Sequence, residues 1–232
     1  MSQAGIVAWL ALRELWMTFR LLAVLIVHVG AGAVVGLLPA PRSVALERLA
    51  IGLAVAAVVT AAIAAWSMAD ERRHGRAGWL VTRSVARGTY LAGWYAALAL
   101  VAAIGTAAAG VLGWLAIGGA ARGTDPFAFP VTMVAVVFTS AAGAALGLLC
   151  GSLLRPPAAI VAAVATCFAL GALAWFAAES ARWLPGGAHL LLARLTGPEP
   201  VLGDALRASG IGLALSSALL VAARATLERS DL

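Results

Sequence analysis

The densest group of charged side chains in this chain lies in residues 69–87, which read ADERRHGRAGWLVTRSVAR. The segment contains two carboxylates, one histidine and five arginines between two long apolar runs. Charged side chains are costly in lipid, and guanidinium groups can form paired hydrogen bonds with carboxylates or phosphates. We therefore expect the segment to lie outside the bilayer, where it either binds a soluble partner or only fixes the orientation of the neighbouring helices.

Side chains that could catalyse a reaction are few elsewhere and widely separated. His28, Thr60 and His189 are the candidates for a membrane enzyme, yet the sequence contains neither an HExxH metal motif nor a serine in a nucleophile-elbow context. Cys150 and Cys167 lie in apolar runs, where a thiol packs as a small hydrophobic group. We therefore predict no catalytic residue, no metal site and no cofactor bound by the chain itself.

Composition excludes several classes of protein. With 63% hydrophobic and 11% charged residues, the 232-residue chain has too little polar surface to cover a water-soluble globule. All sixteen basic residues are arginine, so the chain lacks the lysine of a phosphate-binding Walker loop. The arginines lie between apolar runs and form no stripe, so nucleic acid is not an expected partner despite the net charge of +6.

Six apolar segments are long enough to cross a bilayer, since each crossing takes about 17–25 mostly apolar residues. The predicted fold class is all-α, a polytopic membrane protein forming a single transmembrane domain over residues 1–232. Residues 21–69 hold the first two spans and residues 90–154 the next two, and the six spans are 21–38, 49–69, 90–117, 130–154, 158–178 and 207–223. An even number of crossings places both termini on one side, where ten of the sixteen arginines then lie. Because cytoplasmic loops carry the excess of basic residues, we expect cytoplasmic termini in the inner (plasma) membrane.

The segments outside the spans are predicted to be helical or short. Residues 1–20 should form an amphipathic elbow helix in the cytoplasmic interface, with an apolar side that includes Trp9 and Trp16 and a polar side that includes Arg13 and Arg20. Residues 179–206 should form short extracellular helices, which either dip into the outer leaflet or pack as a cap. Residues 224–232 are expected to be a cytoplasmic tail.

Small residues at a spacing of four predict close helix contacts in two spans. Gly32 and Gly36 lie in the first span, and Gly143, Gly147 and Gly151 lie in the fourth. This spacing lets two helix backbones approach each other, either within one chain or between two copies.

Within the basic segment, residues 70–87, a short helix is predicted from Asp70 to Val81. Asp70 and Glu71 would occupy the first turn, where the helix dipole favours negative charge, and Arg72, Arg73 and Arg76 would follow. Two glycines weaken this helix in isolation, so contact with a partner would have to stabilise it.

Five positions in and after this segment form a pattern, namely Glu71, Gly75, Leu80, Arg87 and Gly93. In this pattern, in its elbow helix and in its six spans, the chain resembles the permease subunits of ABC-2 type ABC transporters. The ending ERSDL is also similar to the charged tails that are frequent in that family. The chain departs from the family at Ser84, where a proline is frequent, and at Trp94, where a lysine is frequent.

The resemblance implies a transport subunit without an ATPase site of its own. It implies export of an amphiphilic substrate, which could be a drug or antibiotic, a lipid or a peptide. It also implies a coupling helix seated in a cleft of a separate ATPase, with Glu71 facing that ATPase. The implied ATPase-coupling residues are Asp70, Glu71, Arg72, Arg73, His74, Gly75, Arg76 and Leu80.

The resemblance further implies a set of partners. Two ABC ATPase subunits would bind ATP and Mg²⁺, and a second permease, identical or homologous, would complete the path through the membrane lipid. Two other functions stay open at this point: a membrane anchor for a cytoplasmic complex, and a membrane-embedded enzyme without ATP-coupled transport.

Overall fold

The chain is helical throughout the part that the computed structural model describes, which is residues 2–38, 40–74, 85–118, 127–176, 187–197 and 201–229. Within these residues there are eight α-helices and no strand. In chain order they are α1 (Gln3–Met17), α2 (Arg20–Leu37), α3 (Arg42–Arg73), α4 (Arg87–Ala116), α5 (Ala128–Leu153), α6 (Pro156–Phe176), α7 (Gly187–Arg194) and α8 (Leu202–Arg229).

Six of these helices, all except α1 and α7, are long and apolar enough to cross a membrane. Their mean hydropathy over 18 residues lies between 1.6 and 2.3. The prediction of an all-α membrane protein with six spans is therefore confirmed. The 32 residues of α3 extend over about 48 Å, which exceeds the roughly 30 Å of a hydrocarbon core. At least one end of α3 therefore lies outside the hydrocarbon.

Two helices extend well beyond the predicted spans. The helix α3 begins before residue 49 and ends after residue 69, and α8 extends beyond 207–223 at both ends. The extensions carry charged side chains, so a prediction based on apolar runs leaves them out of the spans. The helices nevertheless continue through them, because charged side chains are tolerated outside the lipid. The end of the bundle at which α3 terminates is named the α3 end, and the opposite end, at which α7 lies, is named the α7 end.

The first helix is shorter than the predicted elbow. Its start is capped by Ser2, whose Oγ accepts a hydrogen bond from the Gly5 N–H at 3.2 Å. After Met17 the chain turns at Phe19, which has the left-handed conformation with φ of 58°. The expected placement of Arg20 on the polar side of this helix is wrong, because the turn makes Arg20 the first residue of α2.

The helix α1 packs along α4. Val7, Ala11 and Leu15 recur at a spacing of four and are buried in this contact. Gly93 of α4 permits the approach, since a Cβ at that position would lie 2.5 Å from Val7 Cγ1. The glycine at this position therefore has a packing role.

Trp9, Arg13 and Trp16 lie together on the opposite, exposed stripe of α1. Their spacing of four and then three residues places them on one face of the helix. Indole rings with an adjacent guanidinium suit the headgroup level of a membrane, where the rings are partly apolar and the charge stays hydrated. The arrangement fits an interfacial helix, although Arg13 accompanies the tryptophans instead of opposing them.

The centre of the bundle is the contact between α3 and α5. A Cβ at Gly147 would overlap the carbonyl oxygen of Ala61, and one at Gly151 would lie 2.6 Å from the carbonyl oxygen of Ala65. Gly143 faces the same helix, with Ala57 as its neighbour. The glycine series of the fourth span is therefore used within the chain, not between two copies. Each of these two helices has more buried residues than any other described helix.

Of the two glycines at a spacing of four in the first span, one is used in the same way. A Cβ at Gly32 of α2 would lie 2.6 Å from the carbonyl oxygen of Ala109 in α4. At Gly36 the nearest atom is the Ala116 Cβ at 3.6 Å, which is ordinary contact. Only Gly32 is therefore required for the approach of α2 and α4.

Several hydroxyl groups in the long helices are bonded to the backbone of their own helix. Thr60, Thr132, Thr139 and Ser216 each donate to the carbonyl oxygen four residues earlier, at distances of 2.7–3.0 Å. Lipid offers no other acceptor, so this arrangement lets polar side chains remain in apolar helices at little cost.

Replacing Gly147 with alanine should lower the stability of the bundle. The added methyl group overlaps the Ala61 carbonyl, so the two backbones must separate, and overpacking of this kind costs about 1–3 kcal/mol. We expect a lower unfolding midpoint for Gly147→Ala when the purified chain is heated in detergent and its monodisperse fraction is measured. Gly210→Ala is the control, because nothing lies within 4 Å of a Cβ at that position. Equal midpoints for the two variants would contradict the α3–α5 packing.

Candidate functional site

The predicted helix boundary before Asp70 is wrong. The helix α3 continues without a break to Arg73 and is followed by His74, so Asp70 and Glu71 lie near its C-terminus and not in the first turn of a new helix. Arg72 and Arg73 occupy the last turn, where positive charge is favourable to the helix dipole. The two carboxylates tolerate this position because neighbouring helices supply donors to them.

Asp70 joins α3 to α2. The Arg20 guanidinium lies 3.4 Å from Asp70 Oδ2 and donates a second hydrogen bond to Ser67 Oγ at 3.2 Å. The same guanidinium stacks 4.3 Å from the centre of the Trp66 ring. Arg20 is only 8% exposed, so its charge is held almost entirely by these contacts. His74 adds a contact on the other carboxylate oxygen, with Nδ1 3.3 Å from Asp70 Oδ1.

Glu71 joins α3 to α4. The Tyr90 hydroxyl donates a hydrogen bond to Glu71 Oε2 at 2.8 Å, and Glu71 is only 3% exposed. The expectation that Glu71 faces an ATPase is therefore contradicted, since its carboxylate points into the bundle. Tyr90 was not identified from the sequence. A buried tyrosine needs a partner for its hydroxyl, but the sequence does not show which tyrosines are buried.

Arg72 joins α3 to α5. Its Nη1 donates to the carbonyl oxygen of Gly151 at 3.2 Å, next to the glycine contact that brings the two helices together. Close by at the same end, Arg87 donates to the carbonyl oxygen of Leu227 at 2.6 Å and so joins α4 to α8. The C-terminus of α3 is thus bonded to three neighbouring helices, α2, α4 and α5.

The remaining predicted coupling residues divide into two groups. Arg73 and His74 are exposed at the α3 end. Gly75, Arg76 and Leu80 lie outside the described residues, as does most of the predicted coupling helix. Among the predicted coupling residues that the structure describes, Arg73 and His74 are therefore the ones accessible to a soluble partner.

A second feature is a cavity of about 680 Å³ between α3, α5, α6 and α8. Its lining is almost wholly apolar, and it includes Cys167, Phe168 and Trp175 of α6. His189 of α7 is the one histidine that contributes to the lining, and it is buried. A volume in the range of about 300–1,000 Å³ is typical of small-molecule sites.

The residues suggested for an enzyme lie on different helices. His28 of α2 is fully buried, with Nδ1 2.8 Å from the Val24 carbonyl oxygen, while Thr60 of α3 bonds to Ala56 of its own helix. Over the described ranges, no group of three or more histidine, cysteine or acidic side chains could hold a metal ion. Cys150 and Cys167 are both free thiols.

No protein-family model matches the chain, and no curated protein is significantly similar to it in sequence.

The Arg20–Asp70 contact should show energetic coupling in a double-mutant cycle. Either Arg20→Gln or Asp70→Asn alone leaves a partly buried charge without its partner in this pair. The double variant removes both charges. We expect a coupling energy of about 0.5–3 kcal/mol from denaturant or thermal unfolding. The control cycle is Arg224 and Glu228, a pair that is 61% and 50% exposed and should couple by only about 0.3–0.5 kcal/mol. Equal coupling in both cycles would show that the Arg20 contact is a surface pair.

Tyr90→Phe should destabilise the chain, because it removes a hydrogen-bond donor from a buried carboxyl group. Such a loss costs about 1–3 kcal/mol. Tyr95→Phe is the matched control, since Tyr95 is the chain's other tyrosine and lies on the same helix. The unfolding midpoint of each variant in detergent measures the difference, and an unchanged midpoint for Tyr90→Phe would refute a stabilising role for the Glu71 contact.

Proposed function

We propose that the chain is the permease subunit of an ATP-driven ABC-2 type exporter and that a separate ATPase subunit binds at the α3 end. The observation that carries the proposal is the set of bonds at the C-terminus of α3. Arg20, Tyr90 and Gly151 tie this terminus to α2, α4 and α5. A force applied to the segment that follows α3 would therefore act on four helices at once.

The positions of the acidic side chains also support the proposal. Ion-driven transporters commonly carry carboxylates near the middle of the membrane, where the driving ion binds. Among the described residues, the acidic side chains of the six long helices lie near helix ends, as Glu47, Asp70, Glu71, Asp204 and Glu228 do. An external source of energy is consistent with this distribution.

The proposed orientation places the α3 end and both termini in the cytoplasm. Two ATPase subunits would bind ATP and Mg²⁺, and their closure would push on the segment after α3 in each of two permeases. The permeases, two copies or one copy and a relative, would then change between inward-facing and outward-facing states. The proposed substrate is amphiphilic, because the part of the spans that the structure describes provides apolar surface and no charged filter.

The buried position of Glu71 changes the choice of residue for a docking test. Glu71 variants would disturb the bundle, so loss of transport in them would not identify a docking defect. Arg73 is exposed and lies in the last turn of α3, so reversing its charge should affect a partner more than the fold. Arg229 is an exposed arginine in the last turn of α8 at the same end, and it serves as the matched control.

We expect Arg73→Glu to weaken binding of the ATPase and to lower ATP-dependent efflux of an amphiphilic dye from proteoliposomes by about tenfold or more, equivalent to about 1.4 kcal/mol of docking energy. Arg229→Glu should have a smaller effect on both measurements. The thermal midpoint of each variant alone shows whether the bundle is intact. The assay requires co-purification from the native membrane of a protein with a Walker motif, followed by reconstitution of the pair.

Three results would count against the proposal. The first is that no P-loop ATPase accompanies the chain, and the second is that efflux is identical in Arg73→Glu and wild type. The third is that the ATPase binds without any ATP-dependent efflux, which would favour the membrane-anchor alternative. Turnover of a substrate by the purified chain without ATP would favour the enzyme alternative.

A further inference from the structure

The cavity between α3, α5, α6 and α8 opens sideways, towards the surface that a membrane would cover. Phe168 and Phe176 belong to its lining and are 71% and 91% exposed, so they stand at its open side. Val55 of α3 is also exposed along this opening. The surroundings of a spanning helix at this position are hydrocarbon, so the cavity is continuous with the lipid phase and not with water.

The depth of the cavity matches one leaflet of a bilayer. Along α6 the lining extends from Thr166, near the middle of the helix, to Phe176 at its last residue. Ten residues of helix rise about 15 Å, which is half of a hydrocarbon core of about 30 Å. The cavity therefore begins near the membrane midplane and ends at the α7 end.

The lining chemistry is that of a hydrocarbon site with one polar end. Its side chains are mainly alanine, valine, leucine and aromatic, and the Thr139 hydroxyl is already bonded to the Ala135 carbonyl oxygen of its own helix. His189 is the lining residue that α7 contributes, so its imidazole is at the α7 end of the cavity. A chain of methylene groups with a polar head at the α7 end fits this distribution.

We infer that the cavity binds one acyl chain of a bilayer phospholipid from the leaflet at the α7 end. The chain lies along α6 between α3 and α5, and the headgroup lies beside α7. The volume of about 680 Å³ is large enough for one such chain to be enclosed on several sides, while the open side allows the lipid to remain part of its leaflet. Binding requires no ATP and no partner, so the inference is independent of the transport proposal.

The test uses the full chain in phosphatidylcholine nanodiscs that contain a small fraction of phosphatidylcholine with a diazirine in one acyl chain. Light activation attaches the probe to nearby residues, and mass spectrometry locates the adducts. We expect adducts on the cavity face of α3, around Ala54 and Val55, several-fold above those on the exposed face of α2, around Ile26. The α2 face reports ordinary contact with surrounding lipid.

Two glycines provide a matched pair of variants. Nothing lies within 4 Å of a Cβ at Gly171 or at Gly210, but only Gly171 lines the cavity. Gly171→Phe should therefore fill the cavity without a backbone clash and should reduce the α3 adducts several-fold, while the α2 adducts stay unchanged. Gly210→Phe should leave both sets of adducts as they are in the wild type.

A measurement on the unaltered chain does not depend on the folding of any variant. Cys167 lines the cavity, whereas Cys150 lies against α3 outside it. In detergent, added phosphatidylcholine should slow alkylation of Cys167 by N-ethylmaleimide in a saturable manner, with no such effect on Cys150. A rate for Cys167 that does not depend on lipid would overturn the inference.

Two further results would also overturn it. Adducts of equal density on α2 and in the cavity would mean that the cavity holds only the general lipid surroundings. A dimer in light scattering that Gly171→Phe dissociates, together with absence of cavity adducts in the wild type, would mean that a second copy covers this face.

Discussion

The close approach of α3 and α5 is the contact on which the rest of the bundle depends. Where Gly147 and Gly151 meet Ala61 and Ala65, the backbones touch with almost no side chain between them. In lipid there is no hydrophobic force to bring helices together, so close van der Waals packing of this kind has to hold them. The contact also brings the Gly151 carbonyl within reach of Arg72 and sets the width of one wall of the cavity. The bonded C-terminus of α3 and the cavity thus both adjoin this pair of helices.

Much of the fold could be predicted from the sequence because lipid imposes simple rules. Apolar runs of sufficient length gave six spans, and glycines at a spacing of four indicated a helix contact. The same rules did not locate the end of α3, because hydropathy marks the boundary of the lipid and not of the helix. Trp94 is an exception to another such rule: indoles prefer the headgroup level, but this ring is buried in the apolar cluster that also contains Val7, Ala11 and Leu15 of α1.

The candidate site was predictable only in its location. The charged cluster after the second span was identified, yet the direction of each side chain depends on partners far along the chain. Asp70 pairs with a residue 50 positions earlier, and Glu71 bonds to a residue 19 positions later. The sequence does not show whether a carboxylate or an arginine binds within the chain or binds a partner. The packing of α2 and α4 around the end of α3 decides this, because it buries Glu71 and leaves Arg73 exposed.

The seat of α1 on α4 has a consequence for how the protein is made. Val7 fits against Gly93, so the surface that receives the first helix belongs to the third membrane crossing, more than eighty residues further along. At synthesis rates of about 5–20 residues per second, several seconds pass between the synthesis of α1 and that of the α4 surface on which it packs. During that interval its exposed indoles can keep it at the membrane surface. The helix α1 is thus synthesised before the surface on which it packs.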